Sequence, residues 1–416
     1  MTHYISRKQL LASLIEAIDL HNFLLKDHHR RTSVIAYQIG NRYGLAPQQL
    51  NNLVLAASLH DIGALYISER DQLLEVDMVH PEPHEQLGAA MLQDFAPLQK
   101  ISTILRHHHV HYQDVSNGTL PCHEVPIECF FLHLADRIDV LLTTAPDPGD
   151  SIAHTIEAIR ARFGSVFAPF LQKTFEQLAA SATFWDNIDQ TCFRDLLLRA
   201  IPEDVVALEQ QDLDQLALIF ARMVDLKSPW TAAHSECVGA IAYRLGQLTG
   251  LDEQICYDLK IAGYLHDIGK IGIATELLEK PDQLEPQEYT HVQQHALYSS
   301  WILSTIDGLQ NIATYAANHH ERRDQSGYPM LLHGSQMTPE MDVIAYADIF
   351  SALTETRPYR PALSKKTIRS ELAGFAPGKL SESVCRTLLN HFDELYDLHQ
   401  DTAGQTRGAS QLRFWS

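Results

Sequence analysis

The sequence predicts an all-α fold made of two copies of one helical domain. Three observations predict it. Apolar residues recur at helical spacing over most of the chain, as in RTSVIAYQIGNRYGL and SECVGAIAYRLGQLTGL, and such runs end near Gly. Few stretches alternate apolar and polar residues with period two. The chain also repeats itself: SLHDIGALYIS at 58–68 matches YLHDIGKIGIA at 264–274.

Composition narrows the class. The chain has 416 residues, 45% apolar and 20% charged, which suits a globular protein of two to three domains that can bury a core. Acidic residues number 52 and basic residues 32, a net charge of −20. That argues against a protein that coats DNA or RNA, which needs a broad basic surface. A small anionic ligand in a local basic pocket stays compatible. No apolar run approaches the roughly 18 residues that span a bilayer. The first residues, MTHYISRKQLLASLIEAIDL, hold no signal-peptide core. The expectation is a cytoplasmic protein that touches neither membrane nor nucleic acid polymer. The six cysteines lack C-x-x-C spacing and read as reduced thiols.

Taken in order, residues 1–202 form the first copy, 203–400 the second, and 401–416 a polar tail expected to fray. Helices near 151–200 close the first copy. The runs VPIECFFLHLAD and MDVIAYADIF are short and apolar, so periodicity leaves them open between helix and buried strand. Turn signals fall at 112–126, 146–150, 324–339 and 376–378.

The 23 histidines organise the rest. Five landmarks recur in one order. His29 pairs with His234, His60 with His266, His84 with His295, His108-His109 with His319-His320, and Asp136 with Asp348; the offsets drift only from 205 to 212. Neutral imidazoles and carboxylates are the ligand set of iron, manganese, zinc or nickel. One carboxylate can bridge two cations, and a water held between them becomes a nucleophile near neutral pH. His266-Asp267 ends an apolar helical run, where two adjacent polar groups are costly unless paired or coordinating. Any one of these histidines fits a satisfied core or surface residue; the ordered set seen twice does not.

HDIGK, HHERRDQSGYP and ADIFSALTETRPYR, spread over about 225–370, resemble the HD-GYP domain of the HD phosphohydrolase superfamily. The first copy resembles a plain HD domain. The resemblance implies two tandem HD-superfamily helical domains, the second a metal-dependent phosphodiesterase. It implies that this domain opens cyclic di-GMP or 3′,3′-cyclic GMP–AMP to a linear dinucleotide in second-messenger signalling. It implies two divalent transition metals, iron or manganese before nickel or zinc. One ion takes His234, His266, Asp267 and Asp348; the other shares Asp267 and adds His295, His319 and His320. Trinuclear relatives carry Glu where Trp230 stands, so two ions are expected. Lys270 joins Asp267 as a catalytic group and contacts the phosphate. Arg357 and Arg360 reach phosphates or guanine edges, and Tyr328 packs on a base. These arginines open a stretch, 356–370, with five basic residues and no acidic one. His291, Lys365 and Lys366 read as solvated. Partners consistent with the family are a second copy in a homodimer or a diguanylate cyclase-type protein.

Two positions depart from the family pattern. Gln325 stands where Gly is usual, costing about 1 kcal/mol if that φ is positive. Ser351 stands where Asp is usual, which reads as a carboxylate lost near the nucleophile or the substrate. The first copy keeps His29, His60, Asp61, His84, His108, His109 and Asp136 as a second metal site. It has Ala64 in place of Lys270, NGTLP in place of QSGYP, and TTAPDPGD in place of TETRPYRP. It is therefore expected to be silent. Competing readings are a cyclic dinucleotide receptor or scaffold without turnover, and another HD chemistry such as a nucleotide phosphohydrolase or di-iron oxygenase.

Overall fold

The computed structural model describes residues 3–21, 27–64, 83–144, 149–188, 193, 196, 200–201, 205–227, 233–356 and 360–414. The fold is all-α. The chain divides into Ser6–Val206 and a second unit of Ala207–Ser416 with Met1–Ile5. The division falls a few residues after 202, and the N-terminal strand His3–Ser6 pairs with Val205–Leu208 in the one sheet found among the described residues.

Each unit is built around the same three-helix core. In the first, His28–Tyr43, Pro47–Leu59 and Ile127–Thr144 pack on one another. In the second, His234–Leu248, Glu253–Leu265 and Pro339–Thr354 do so. The two runs that periodicity left open are the third helix of each core. Consecutive residues Cys129 to Ile138 are buried, as are Met341 to Ala347. A helix covered on all sides has no polar face, so its 3.6-residue period vanishes from the sequence. Pro339 sits in the first turn of its helix, where its missing N–H costs nothing, and Thr338 caps the Met341 amide.

Where a frayed tail was expected from residue 401, residues 401–414 continue a helix. The last helix runs Phe392–Phe414, and Ala403 is buried with Ala233 and Cys237. One small apolar residue per two turns is a weak sequence signal, but it docks this helix on its own unit. Among the described residues no helix is long and apolar enough to cross a membrane. Cys122, Cys129, Cys237, Cys256 and Cys385 are free thiols.

Candidate metal centres

The site residues of the second unit come from helix ends and from the middles of two helices. His234 opens its helix after Ala233, whose φ is 135°. His266-Asp267 leaves the end of Glu253–Leu265, and the turn Ile268–Gly272 then crosses helix Pro286–Ser304 at His295. That crossing is tight. A Cβ on Gly269 would stand 1.9 Å from the His295 carbonyl oxygen, and one on Gly63 2.2 Å from that of His84. Only glycine allows the HD pair to reach the facing helix. Ser299 pins the crossing, accepting from the Gly269 amide at 2.9 Å and donating to the His266 carbonyl at 2.9 Å. His319-His320 follows helix Gln310–Ala317, and Asp348 lies within Pro339–Thr354.

These residues converge as two clusters with Asp267 between them. His234, His266 and Asp348 form one, and His295, His319 and His320 the other; within each, ligand atoms lie within 4.8 Å of one another. Asp267 Oδ2 is 3.2 Å from His266 Nε2, and its Oδ1 is 3.5 Å from His295 Nε2. One carboxylate thus offers an oxygen to each cluster. The tautomers are fixed from behind. His266, His295 and His319 each donate from Nδ1 to a carbonyl three residues back, at 2.8, 2.6 and 2.6 Å. That turns three Nε2 lone pairs inward, and all three, with Asp267 Oδ1, are buried without a hydrogen-bond partner. Orphaned buried acceptors of this kind are costly in an apolar interior and fit a set of ligands for divalent transition ions.

The electrostatics agree. Burial would lift the Asp267 carboxyl, but its neighbours His266 and Lys270 hold it well below the usual range. Burial pushes His295 down to about 4, against the pull of Asp267. Burial, then the neighbouring His266, pushes His319 down to about 3. His320 is held low by burial and by His319. Imidazoles that stay neutral and a carboxylate that stays ionised are the protonation states that bind cations.

Around the clusters, Lys270 Nζ donates to Asp267 Oδ2 at 2.5 Å. The Tyr328 ring lies 4.6 Å from His320 at 36°, so one of its faces rests on the histidine. Burial and nearby Tyr289 raise its hydroxyl pKa. Arg360 Nη2 donates to Ala352 O at 2.7 Å, one turn past Asp348. Arg357 and Trp230 lie outside the described residues. His291, Lys365 and Lys366 are exposed, as expected. Gln325 has φ 63°, the left-handed value that Gly adopts freely.

Sequence reasoning missed three residues here. Glu321 is buried and accepts from the Met330 and Leu332 amides, which fixes the loop after Tyr328. Arg322 donates to the His319 and Glu321 carbonyls. Glu355 meets His234 Nδ1, with Oε2 at 3.1 Å. All three lie inside motifs already singled out, HHERRDQSGYP and ADIFSALTETRPYR, whose other residues carried the reading.

The first unit holds a matching pair of clusters. Asp61, His84, His108 and His109 form one, and His28, His60 and Asp136 the other. The counterpart of His234 is His28, not His29. Both open their helix after a residue of positive φ, and both place Nε2 3.3 Å from the helix-borne aspartate, Asp136 or Asp348. The offset becomes 234 − 28 = 206, equal to that of His60 and His266. His29 lies beside them, 3.6 Å from Asp61 Oδ2. The reading of residue 351 is corrected too. Its counterpart Asp139 accepts from His28 Nδ1 at 2.7 Å and from Arg31 Nε at 2.6 Å. This position backs the first histidine and does not line the space for a nucleophile. Arg137 has no counterpart in the second unit, where Ile349 stands; it donates to Asp136 Oδ2 from Nε at 3.0 Å and Nη2 at 2.6 Å.

Two helical units, each closing on paired imidazole–carboxylate clusters around one aspartate, define a tandem HD-domain protein. The HD domain family matches at residues 219–372 and again at 25–141. The chain is similar to the 3′3′-cGAMP-specific phosphodiesterase 1 of Vibrio cholerae, 26% identical over 384 residues, which are 89% of this chain and 88% of that one. It is 34% identical over 214 residues to 3′3′-cGAMP-specific phosphodiesterase 3 of the same organism, covering 51% of this chain and 46% of the relative. Over 206 residues it is 30% identical to a cyclic di-GMP phosphodiesterase of Thermotoga maritima, 49% and 56% of the two chains. The crystallised cyclic GMP-AMP-specific phosphodiesterase V-cGAP3 of Vibrio cholerae shares the fold, with TM-score 0.63 and 22% identity over 94% of this chain and 98% of that one. With an HD domain matched in each half, the chain is a tandem HD-domain protein similar to cyclic dinucleotide phosphodiesterases.

Proposed function

We propose that the second unit is a metal-dependent phosphodiesterase that opens a cyclic dinucleotide, cyclic di-GMP or 3′,3′-cyclic GMP–AMP, to a linear dinucleotide. One observation carries this reading: Asp267 turns an oxygen to each of two clusters while Lys270 donates to the same carboxylate. The relatives support it, since each acts on a cyclic dinucleotide by its printed name. The relative aligned over 88% of its length is the 3′3′-cGAMP-specific one, which favours that substrate.

In this reading His234, His266, Asp267 and Asp348 would hold one divalent ion, and Asp267, His295, His319 and His320 would hold a second. Bound ions supply Lewis acidity and an activated water. The chain's own residues do the rest. The carbonyls behind His266, His295 and His319 each accept from Nδ1–H and leave Nε2 aimed inward. Lys270 stabilises charge that builds on the attacked phosphate, as a fixed cation in a low-dielectric site does. Arg360, with Nη1 buried and without a hydrogen-bond partner, offers a donor to the second phosphate. Tyr328, backed on one face by His320, presents its other face to a base.

Protein loaded in turn with iron, manganese or nickel, incubated with a panel of cyclic dinucleotides and followed by chromatography, tests this. A linear dinucleotide product is expected. Tight binding without product under every metal would make the protein a receptor instead.

A further inference from the structure

The internal repeat provides a comparison within one chain. In the first unit His28 is backed by Asp139, three residues past the cluster aspartate Asp136. In the second unit that position is Ser351, fully buried, with an Oγ that has no hydrogen-bond partner. Yet His234 Nδ1 still meets a carboxylate, Glu355, with Oε1 at 3.2 Å and Oε2 at 3.1 Å. Glu355 lies four residues past Ser351, one helical turn on, and its amide donates to the Ser351 carbonyl at 3.1 Å. Its side chain is one methylene longer than that of Asp. On the far side, buried His399 of the terminal helix places Nε2 3.4 Å from Glu355 Oε1.

We propose that Glu355 is the positioning residue of His234, doing from the next helical turn what Asp139 does for His28. The proposal rests on the reading of the second unit as a metal centre. Accepting from Nδ1–H, Glu355 fixes the tautomer of His234 and turns its Nε2 toward Asp348 and the ion site. A carboxylate in that place also raises the basicity of the ligand, and losing such a partner costs about 10- to 100-fold in metal affinity. Ser351 is then a displaced function and not a lost one.

The test is manganese affinity of the full chain, by chelator competition at fixed pH, alongside helix content by circular dichroism. His234→Ala identifies the sites that belong to the second unit. Glu355→Ala is expected to bind manganese there about 10- to 100-fold more weakly. Glu355→Gln, which keeps the size and an acceptor oxygen, is expected to fall between Ala and wild type. Ser351→Asp in the Glu355→Ala background is expected to restore most of the affinity, by rebuilding the first-unit arrangement. That rescue also separates positioning from folding, because a second polar substitution in a buried helix does not repair a packing defect. Wild-type affinity in Glu355→Ala, with affinity lost in His234→Ala, overturns the positioning role alone. No rescue in a folded double variant overturns it as well. Unchanged affinity in both Glu355→Ala and His234→Ala overturns the metal-centre reading and this proposal together.

Discussion

Asp267 faces both clusters of the second unit, and its geometry sets a graded expectation. Its two oxygens turn to different histidines, whereas His234 turns to one cluster only. Asp267→Ala should therefore empty both ion sites and abolish hydrolysis, while His234→Ala should leave one site partly filled. Metal analysis of the two purified variants checks this, and equal, near-full occupancy in both would remove the bridging role. Lys270 is the second residue with a separable part. Lys270→Ala should keep its metals and lose about 10²–10³ in turnover, the usual loss for one preorganised donor to developing charge. An intact rate with intact metal would make Lys270 a partner of Asp267 only. Residue by residue, the seven clustered side chains were legible because the repeat fixed their order twice. His28 was not, because choosing between adjacent histidines requires knowing where the helix begins. The structure shows that start in the positive φ of Asp27.

At the scale of single elements, the loop between His320 and Pro339 carries a local conflict. Gln325 holds φ 63°, and the expected strain of a non-glycine residue there is about 1 kcal/mol. Gln325→Gly should therefore stabilise the second unit by about that amount, less the added freedom of the unfolded chain. Urea denaturation of metal-free protein measures it; a loss of stability would show that the exposed Gln side chain makes up the strain. The opposite holds at the crossing of the HD turn over helix Pro286–Ser304. Gly269→Ala would drive a methyl to 1.9 Å from the His295 carbonyl oxygen, so backbone must move. Overpacking of this kind costs about 1–3 kcal/mol, and here it should also weaken metal binding, because it separates Asp267 from His295. Which elements were legible follows the same physics. Amphipathic helices such as His28–Tyr43 declared themselves by period. The central helices Ile127–Thr144 and Pro339–Thr354 did not, because burial on every side erases the polar face that makes the period visible. Glu355 was invisible for a further reason: it replaces Asp139 from a different helical turn, which positional matching of the two copies does not register.

At the scale of the whole molecule, the two units differ in what surrounds nearly the same ligands. The first unit is tuned to acid by a group outside its clusters. His133 is pushed down to about 3 by burial first and by Arg137 next, and donates from Nδ1 to Val110 O at 3.0 Å. A histidine kept neutral when folded contributes fully above about pH 6.5 and loses that contribution as pH falls toward 3, by about 1.4 kcal/mol per unit. His133→Gln should flatten the fall in urea stability of metal-free protein between pH 6.5 and 5.5 by roughly that amount; parallel pH profiles would refute it. The catalytic difference is larger. Where the second unit has Lys270 on its bridging aspartate, the first has buried Ala64. Where the second has Tyr328 beside His320, the first sets His133 near His109, ring centres 5.7 Å apart. Arg137 already occupies Asp136 Oδ2, and the segment TTAPDPGD, with two aspartates and no basic residue, replaces TETRPYRP, which carries Arg357 and Arg360. A dianionic substrate would meet the repulsion of these carboxylates there. The ligand atoms persist, so the first unit should hold metal without turning over a cyclic dinucleotide. Asp61→Ala and Asp267→Ala, assayed side by side with metal counted in each, decide the matter. Asp61→Ala should release metal from the first unit and leave hydrolysis within about threefold of wild type, a change of roughly 0.7 kcal/mol in the barrier. If it loses turnover as completely as Asp267→Ala, while folded and with the second unit's metal in place, the first unit takes part in the chemistry.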